Sequence, residues 1–521
     1  MTTVEESIPD NELPASIPLP EGWLWTTVSS LGEFDGEAVK TGPFGAILKS
    51  KEFVSSGIPI LAVGNVQSGH LDLKNARVDH ITEKKATELS DYRLRAGDVL
   101  FTRSGTIGRS AVVPQSADGW MMSYHLLRVR PNQLLINPQY LYFVFAGCQV
   151  SQQYTQDSTI GTTRPGINTQ ILKDVPVPLP PRAEQDRMVA RIDELFSLVC
   201  SARDHLSKIP LILKRFRQAV LASACSGKLT EGWRNRQENL EPASRLVERI
   251  ASMRSRASNG ACVRTVEAAN LPAIPEEWTW VYLPDLGCTG RGRSRHRPRD
   301  AAHLYGGPYP FIQTGDIAQS GGRIKSHTQT YSQAGLEQSK LWPAGTVCIT
   351  IAANIAHSAI LTYPSCFPDS VVGVIPDADF CLKEYVEFFI RTARADLEQY
   401  APATAQKNIN LGVLSDVAVP LPPYREQQEI VRITEALLAA ADAIECHVVA
   451  ASQSAGRVTQ AILAKAFRGE LVPPEAELAR RDGRQYEPAS VLLERIRAEG
   501  ASHAKNPAVP KRKLRRASAH V

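Results

Sequence analysis

The feature that most constrains this chain is a segment written twice. Asp174-Val175-Pro176-Val177-Pro178-Leu179-Pro180-Pro181, followed by Glu184-Gln185 and an amphipathic run to about Ala224, returns as Asp416-Val417-Ala418-Val419-Pro420-Leu421-Pro422-Pro423, Glu426-Gln427 and a run to about Ala466. The 242-residue offset between Asp174 and Asp416 holds without a gap through Gln218 and Gln460, Gly227 and Gly469, and Leu229 and Leu471. An internal repeat on this scale sets the architecture before any local reading. Trp23-Leu24-Trp25-Thr26-Thr27-Val28 also recurs, as Trp278-Thr279-Trp280-Val281-Tyr282, at an offset of 255 residues, so the repeat includes globular parts as well as helices.

Between Trp23 and Asp174, short strand-like runs are broken by Gly, Asp and Ser: Ile58 to Val63, Asp98 to Thr102, Ser110 to Val113 and Leu126 to Val129. One helix-like stretch, Pro138 to Gln152, follows. The second half echoes this with Tyr309 to Ile312, Ala344 to Val347 and the helix-like Leu382 to Tyr400, at offsets that drift. After Pro181, Met188, Ile192, Leu195, Val199, Ala202, Leu206, Ile209, Leu213, Phe216 and Val220 alternate spacings of four and three, the seam of a coiled coil. Ile430, Thr434, Leu437, Ala441, Ile444, Val448, Ala451, Ala455, Val458 and Ile462 repeat that register. The two helices pair antiparallel about a pseudo-twofold axis; the alternative is two amphipathic helices on separate cores. Pro210 removes a backbone hydrogen bond inside the first helix, which predicts a kink or break near Ile209. Gly227 and Gly469 suit left-handed C-terminal caps, and Glu241-Pro242-Ala243-Ser244 and Glu487-Pro488-Ala489-Ser490 each open a short helix.

The expected fold class is α+β. It has a flexible lead (1–20), a globular domain (21–174), a helical region (175–265), a second globular domain (266–415), a second helical region (416–500) and a basic disordered tail (501–521). At 521 residues, 43% hydrophobic and 22% charged, the chain is long enough for several soluble cores. No window nears the ~18 apolar residues of a membrane span, and the acidic, proline-rich start has no signal-peptide core, so cytoplasmic residence is expected. Nine cysteines without a C-x-x-C pair or zinc spacing indicate neither disulfides nor a structural metal. A net charge of +5 permits an acidic polymer as partner without requiring one.

Catalytic signatures are missing. Cys225-Ser226-Gly227-Lys228-Leu229 lacks the Ser/Thr and upstream Gly of a phosphate-binding loop. Leu421-Pro422-Pro423-Tyr424 has leucine where an amino-methyltransferase needs Asn or Asp. His125, among Tyr124, Leu126 and Leu127, reads as a core residue. No catalytic residue and no metal ligand is assigned.

Basic and glycine-rich stretches are the candidates for contact with nucleic acid. Arg291, Arg293, Arg295, Arg297 and Arg299, with Ser294 among them, place five planar forks in nine residues, suited to phosphate or to the guanine edge. Gln313, Thr314 and Asp316 follow with base-reading side-chain types. In the first half the comparable stretch is Lys40, Thr41, Gly42 and Phe44, continuing to Lys49 and Lys51. Arg103, Ser104, Thr106 and Arg109 form a polar turn whose counterpart around Asn354 has lost the arginines, and Thr163 and Arg164 make a last patch. A solvated basic loop or a structural turn is the competing reading of each.

In order and in duplicate, these motifs resemble the specificity subunit of type I restriction-modification enzymes. The match rests on Gly42-Pro43-Phe44-Gly45, Gly97-Asp98-Val99-Leu100, Ser104-Gly105-Thr106-Ile107-Gly108, both Pro-Leu-Pro-Pro…Glu-Gln segments, the arginine run, Tyr309 to Asp316, Ile351 to Ile355 and Cys366-Phe367-Pro368-Asp369-Ser370. The resemblance implies two target-recognition domains, each reading half of a bipartite site in double-stranded DNA. Helical conserved regions would space them and dock two methyltransferase subunits, with restriction/translocase subunits outside. It places Pro181, Glu184, Gln185, Ile192 and Leu195, and Pro423, Glu426, Gln427, Leu437 and Ile444, in that spacer and docking scaffold. This chain would bind no cofactor, while the complex would use S-adenosylmethionine, ATP and Mg2+. The chain departs from the family pattern at Pro210 and at Ala356-His357, where a glycine and an acidic residue are expected. The helix from Glu184 to Ala224 would span roughly 60 Å at ~1.5 Å per residue, or about 18 base pairs. Two rival readings are a methyltransferase-only or type IIB-like specificity subunit, and a coiled-coil protein scaffold without DNA binding.

Overall fold

The structure is a computed structural model, and it describes residues 17–33, 38–43, 47–74, 76–103, 108–158, 166–257, 264, 266–267, 271–296, 298–352, 354–399 and 409–505. The chain divides into two units, Met1–His205 with Ala451–Val521, and Leu206–Ala450.

In the first unit, Val39–Thr41, Leu126–Val129, Val99–Thr102 and Ser110–Val112 form an antiparallel sheet in that spatial order. All four residues of each of its two central strands are buried. Alternation along a strand sends successive side chains to opposite faces. Val99, Phe101, Leu127 and Val129 therefore enter one core beneath the helix Pro138–Gly147, while Leu100 and Leu126 enter another with Ala111 and Val113. The expected single helix from Pro138 to Gln152 is two helices, because Cys148 is extended between Pro138–Gly147 and Gln149–Asp157.

The second unit repeats the plan. Gly287–Arg291, Val371–Pro376, Val347–Thr350 and Ser358–Leu361 are antiparallel neighbours, and Arg323–Ile324 adds a parallel edge. Val347, Ile349, Val372 and Val374 face the core under the helix Lys383–Gln399; Cys348, Ala359, Leu361 and Val371 face the other.

The proline-rich repeat is itself a strand. Pro176–Leu179 pairs antiparallel with Leu24–Thr27, and Ala418–Leu421 with Thr279–Tyr282. Proline is tolerated because each ribbon has only two strands, so every second residue points its backbone away from the partner. The outward carbonyls of Pro178 and Pro176 accept bonds from the Tyr140 hydroxyl (2.7 Å) and the Ser151 hydroxyl (2.6 Å), and the Tyr385 hydroxyl serves Pro420 in the same way.

Each ribbon leads into a 44-residue helix, Arg182–Cys225 or Tyr424–Phe467, about 66 Å long at ~1.5 Å per residue. Within the first unit the start of the first helix packs antiparallel on the end of the second, with Met188 and Ile192 against Ile462, Leu463 and Ala466. Within the second unit, Leu221 and Cys225 pack against Val431 and Leu438, and Arg217 pairs with Asp442 (2.7 Å) and Glu445 (2.6 Å). The seam is discontinuous: Ala202, Phe216, Ile444, Ala451 and Val458 are exposed. The helix runs through Pro210 without the break that was one of the two outcomes expected there. Pro210 lies on the exposed side of the helix.

Gly227 and Gly469 end the helices at φ +77° and +72°. A Cβ at either would lie 2.4 Å from the Cγ of Pro275 or Pro20, the proline three residues before the repeated tryptophan. Short helices follow, with Ala243, Leu246 and Ile250 buried in one copy and Ala489, Leu492 and Ile496 in the other.

The repeated Glu-Gln ties these parts together. Glu184 accepts the Trp23 indole N–H (3.0 Å) and the Glu475 amide (2.8 Å); Glu426 accepts the Trp278 indole (2.9 Å), the Thr230 hydroxyl (2.6 Å) and Arg234 (2.5 Å). Gln185 receives the Asn137 amide (2.8 Å) and donates to Leu135 and Pro180 carbonyls; Gln427 receives the Leu382 amide (2.9 Å) and donates to Phe380 and Pro422. Burial, outweighing its two donors, holds the Glu184 carboxyl above its ordinary range.

Glu426→Ala takes from the largely buried Arg234 guanidinium its nearest carboxylate, leaving Glu277 at 3.6 Å, so a loss of about 3 kcal/mol is expected. Glu184→Ala orphans only two neutral donors and is expected to cost about 2 kcal/mol. Urea unfolding followed by tryptophan fluorescence ranks the two; equal losses would contradict the assigned role of Arg234. A second expectation concerns Glu387, buried on the helix Lys383–Gln399, where it accepts the Ser358 hydroxyl at 3.2 Å and lies 3.6 Å from Arg391. Burial raises its pKa from 4.5 to about 7. Its folded pKa is the higher, so the stabilisation is complete below about pH 4.5 and disappears as pH rises through 7. The amplitude is at most about 3 kcal/mol. Glu387→Gln should flatten that part of a stability-against-pH curve.

Candidate nucleic-acid interface

At one end of each sheet, loops that are distant in sequence are held together by main-chain bonds. In the first unit, Gly42 N–H donates to Leu126 (3.0 Å), Thr102 to Arg109 (3.0 Å), Arg103 to His125 (2.9 Å) and Ile167 to Arg103 (3.1 Å). In the second, Gly292 donates to Val371, Thr350 to His357, Ile351 to Ser370 and Ile409 to Ile351, each at 2.9 Å. These bonds put Gly42 with Gly292, Arg103 with Ile351, Arg109 with His357 and Ile167 with Ile409, although the offsets run from 242 to 250 residues. The stretch beginning at Lys40 and the arginine run therefore hold equivalent places, and the second copy has lost both turn arginines.

Both glycines are required by packing inside the domain. A Cβ at Gly42 would lie 2.0 Å from the Ser123 carbonyl oxygen, and one at Gly292 would lie 2.3 Å from that of Pro368. Lys40 is engaged at the surface, 3.4 Å from Asp91 and 5.0 Å from the Tyr92 ring centre. Lys49 and Lys51 are exposed; the Lys49 amide donates to Glu52 (2.7 Å), and this bond, with Lys85, holds that carboxyl low. Arg109 reaches Gln67 (3.3 Å). His125 packs on Tyr124 with ring centres 3.6 Å apart, and burial and the charge of Arg103 hold its pKa down. Tyr124 is 43% exposed at this end, an aromatic surface that the sequence reading passed over. Phe44, Ser104, Thr106, Thr163, Arg164 and Arg297 lie outside the described residues.

In the second unit the arginine loop is held by its backbone. Arg293 N–H donates to Phe367 (3.2 Å), the Ser339 hydroxyl to the Arg293 carbonyl (2.9 Å), and the Arg295 and His296 amides to Gln338 (2.6 and 3.0 Å). Ser294 is buried, which removes it from a direct contact surface. Arg291 donates to the Asp369 carbonyl, and Arg299 bonds both Asp369 carboxylate oxygens. Arg293 and Arg295 are exposed without a side-chain partner among the described residues.

Two base-reading candidates are already engaged. Asp316 caps the helix Thr314–Gln319 by accepting the Gln313 amide (2.8 Å), and the Gln313 side chain donates to Gln329 (2.5 Å). Asn354 donates to the Thr314 carbonyl (3.4 Å), bringing this segment beside the turn that follows Thr350. In that turn Ala356 is buried at φ +56°, the single non-glycine residue with positive φ among those described. A left-handed alanine costs about 1–2 kcal/mol, which a glycine avoids. Ala356→Gly should therefore raise stability by about 1 kcal/mol, read as a higher urea midpoint at unchanged slope.

Among the described residues no group of His, Cys, Asp and Glu is placed to hold a metal, and no helix is long and apolar enough to cross a membrane. The Cys225 thiol is pushed up to about 12 by burial, so it is no nucleophile at neutral pH.

Residues 36–207 and 275–448 each match the family described as "Type I restriction modification DNA specificity domain". The chain is 30% identical over 381 residues to the EcoDI specificity subunit of Escherichia coli, covering 71% of this chain and 78% of the relative. It is 27% identical over 502 residues to the EcoKI specificity subunit of Escherichia coli strain K12, covering 93% and 97%. Its fold is similar to the HsdS subunit from Thermoanaerobacter tengcongensis, with a TM-score of 0.55, 18% identity, and 88% of this chain and 99% of that one covered. A chain from a structure of type I R-M complex assembly gives 0.60 at 18% identity, over 87% and 100%.

Proposed function

The chain belongs to the type I restriction-modification DNA specificity family, and from that premise we propose that the loop end of each sheet reads one half of a bipartite site in double-stranded DNA. The matched main-chain bonds carry this reading: they build the same loop platform twice and leave the side chains on it different. Arginine forks and exposed aromatic faces at such a platform are the groups that recognise base edges and phosphates. In the first unit the contacts come from Lys49, Lys51, Arg109 and Tyr124 with the neighbouring Arg103; in the second, from Arg293 and Arg295. The chain performs no catalysis itself. It supplies specificity to methyltransferase subunits, two per complex, and to restriction/translocase subunits, which use S-adenosylmethionine, ATP and Mg2+. The long helices are the spacer and the docking surface for the methyltransferase, in the cytoplasm where the DNA lies.

The test is methylome sequencing of a host that expresses this chain with its methyltransferase partner. A single adenine-methylated motif with a gap is expected; a short continuous motif would count against two reading domains. Arg293→Ala and Arg295→Ala should each weaken site-specific binding by about 1–3 kcal/mol where they meet a base, and relax the motif in one half only. Lys49→Ala and Lys51→Ala should instead weaken binding to all sequences alike and reduce the salt slope by about 1 each. Unchanged methylation in the arginine variants would remove this loop from the interface.

A further inference from the structure

We propose that Asp369 is a positioning residue that, among the described arginines of the loop, engages Arg291 and Arg299 and leaves Arg293 and Arg295 to solvent, and that its grip on Arg299 limits sequence-independent binding. The inference rests on the reading of the loop as a DNA contact and goes one step past it. One nitrogen of Arg299 lies 3.0 and 2.8 Å from the two carboxylate oxygens of Asp369. The Arg299 carbonyl accepts the Tyr305 hydroxyl at 2.7 Å, which fixes the backbone from which the side chain reaches. Arg291 donates to the Asp369 carbonyl, so a single residue receives guanidinium groups from both ends of the loop. Between them, Arg293 and Arg295 project without a side-chain partner among the described residues from a backbone pinned by Phe367, Ser339 and Gln338.

A carboxylate offers a guanidinium the same paired oxygens that a phosphate does, so Asp369 and a DNA phosphate compete for one cation. The pair is half-exposed, with Arg299 at 51% and Asp369 at 33%. Such pairs add little to folding, so removing the carboxylate leaves the domain intact. The charge it withholds acts on every sequence equally, because phosphate contacts carry no sequence information. Holding it back favours discrimination over affinity.

The experiment uses the complex assembled with its methyltransferase subunits, titrated by fluorescence anisotropy against a duplex carrying the methylated motif and a random duplex, over a range of salt. Asp369→Asn keeps the shape and removes the charge. It should tighten binding to the random duplex roughly tenfold at about 50 mM salt, steepen the salt slope by about 0.9, and lower the ratio of specific to random affinity. Adding Arg299→Ala to that variant should return the slope to the wild-type value, which a merely structural role for Asp369 would not do. An unchanged slope in Asp369→Asn overturns the inference, as does a shallower one, which would mean that Asp369 delivers Arg299 to the phosphate. If the wild-type complex binds neither duplex, the reading of the loop as a DNA contact falls first and this inference with it.

Discussion

A buried carboxylate facing a tryptophan indole is the joint on which each unit depends. Glu184 with Trp23, and Glu426 with Trp278, stand at the first turn of a long helix, where the ribbon, the helix and the segment following the other long helix all meet. Burying a charge is costly unless its lone pairs are used. In the second copy three donors converge on Glu426, one of them a guanidinium. The first copy does it with an indole and a backbone amide, which leaves Glu184 less fully compensated and holds its pKa up. The neighbouring glutamine completes the joint by binding the loop that opens the domain's own helix. Two adjacent residues thus fix one helix start to the domain before it and to the end of the opposite helix.

Much of this was legible in the sequence because the repeat preserved what geometry demands. The tryptophan strands, the long helices, their glycine caps and the short helices after them all stand where the two copies agree. The proline ribbon was harder to see, since proline argues against a strand; it forms because a two-stranded ribbon leaves half its backbone unpaired in any case. At Pro210 the helix is not broken; the proline sits on the exposed side, where it displaces no packed neighbour.

The candidate interface was legible by residue type and not by arrangement. Arginines and lysines marked the loops, but sequence could not tell which were committed to the fold. Lys40 and Arg299 are engaged by Asp91 and Asp369, and Asp316 by the amide of Gln313, through partners 51, 70 and 3 residues away. Only the last of these separations is a local pattern, a helix cap, and it could have been recognised. Tyr124 was overlooked because an aromatic residue beside leucines reads as core, whereas the turn lifts it out of the sheet. Loop equivalence across the halves was hidden because insertions shift the offset from one loop to the next.

The bonds that build the loop platform run from amide to carbonyl, so the fold and the message are kept in different atoms. A substitution on the platform can alter what a domain selects without touching the bonds that hold it, except at Gly42 and Gly292, where a side chain would strike the neighbouring strand's approach. Such a design lets recognition change while the framework stays still. It also accounts for two halves of one chain that keep long helices of equal length and carry unlike loops.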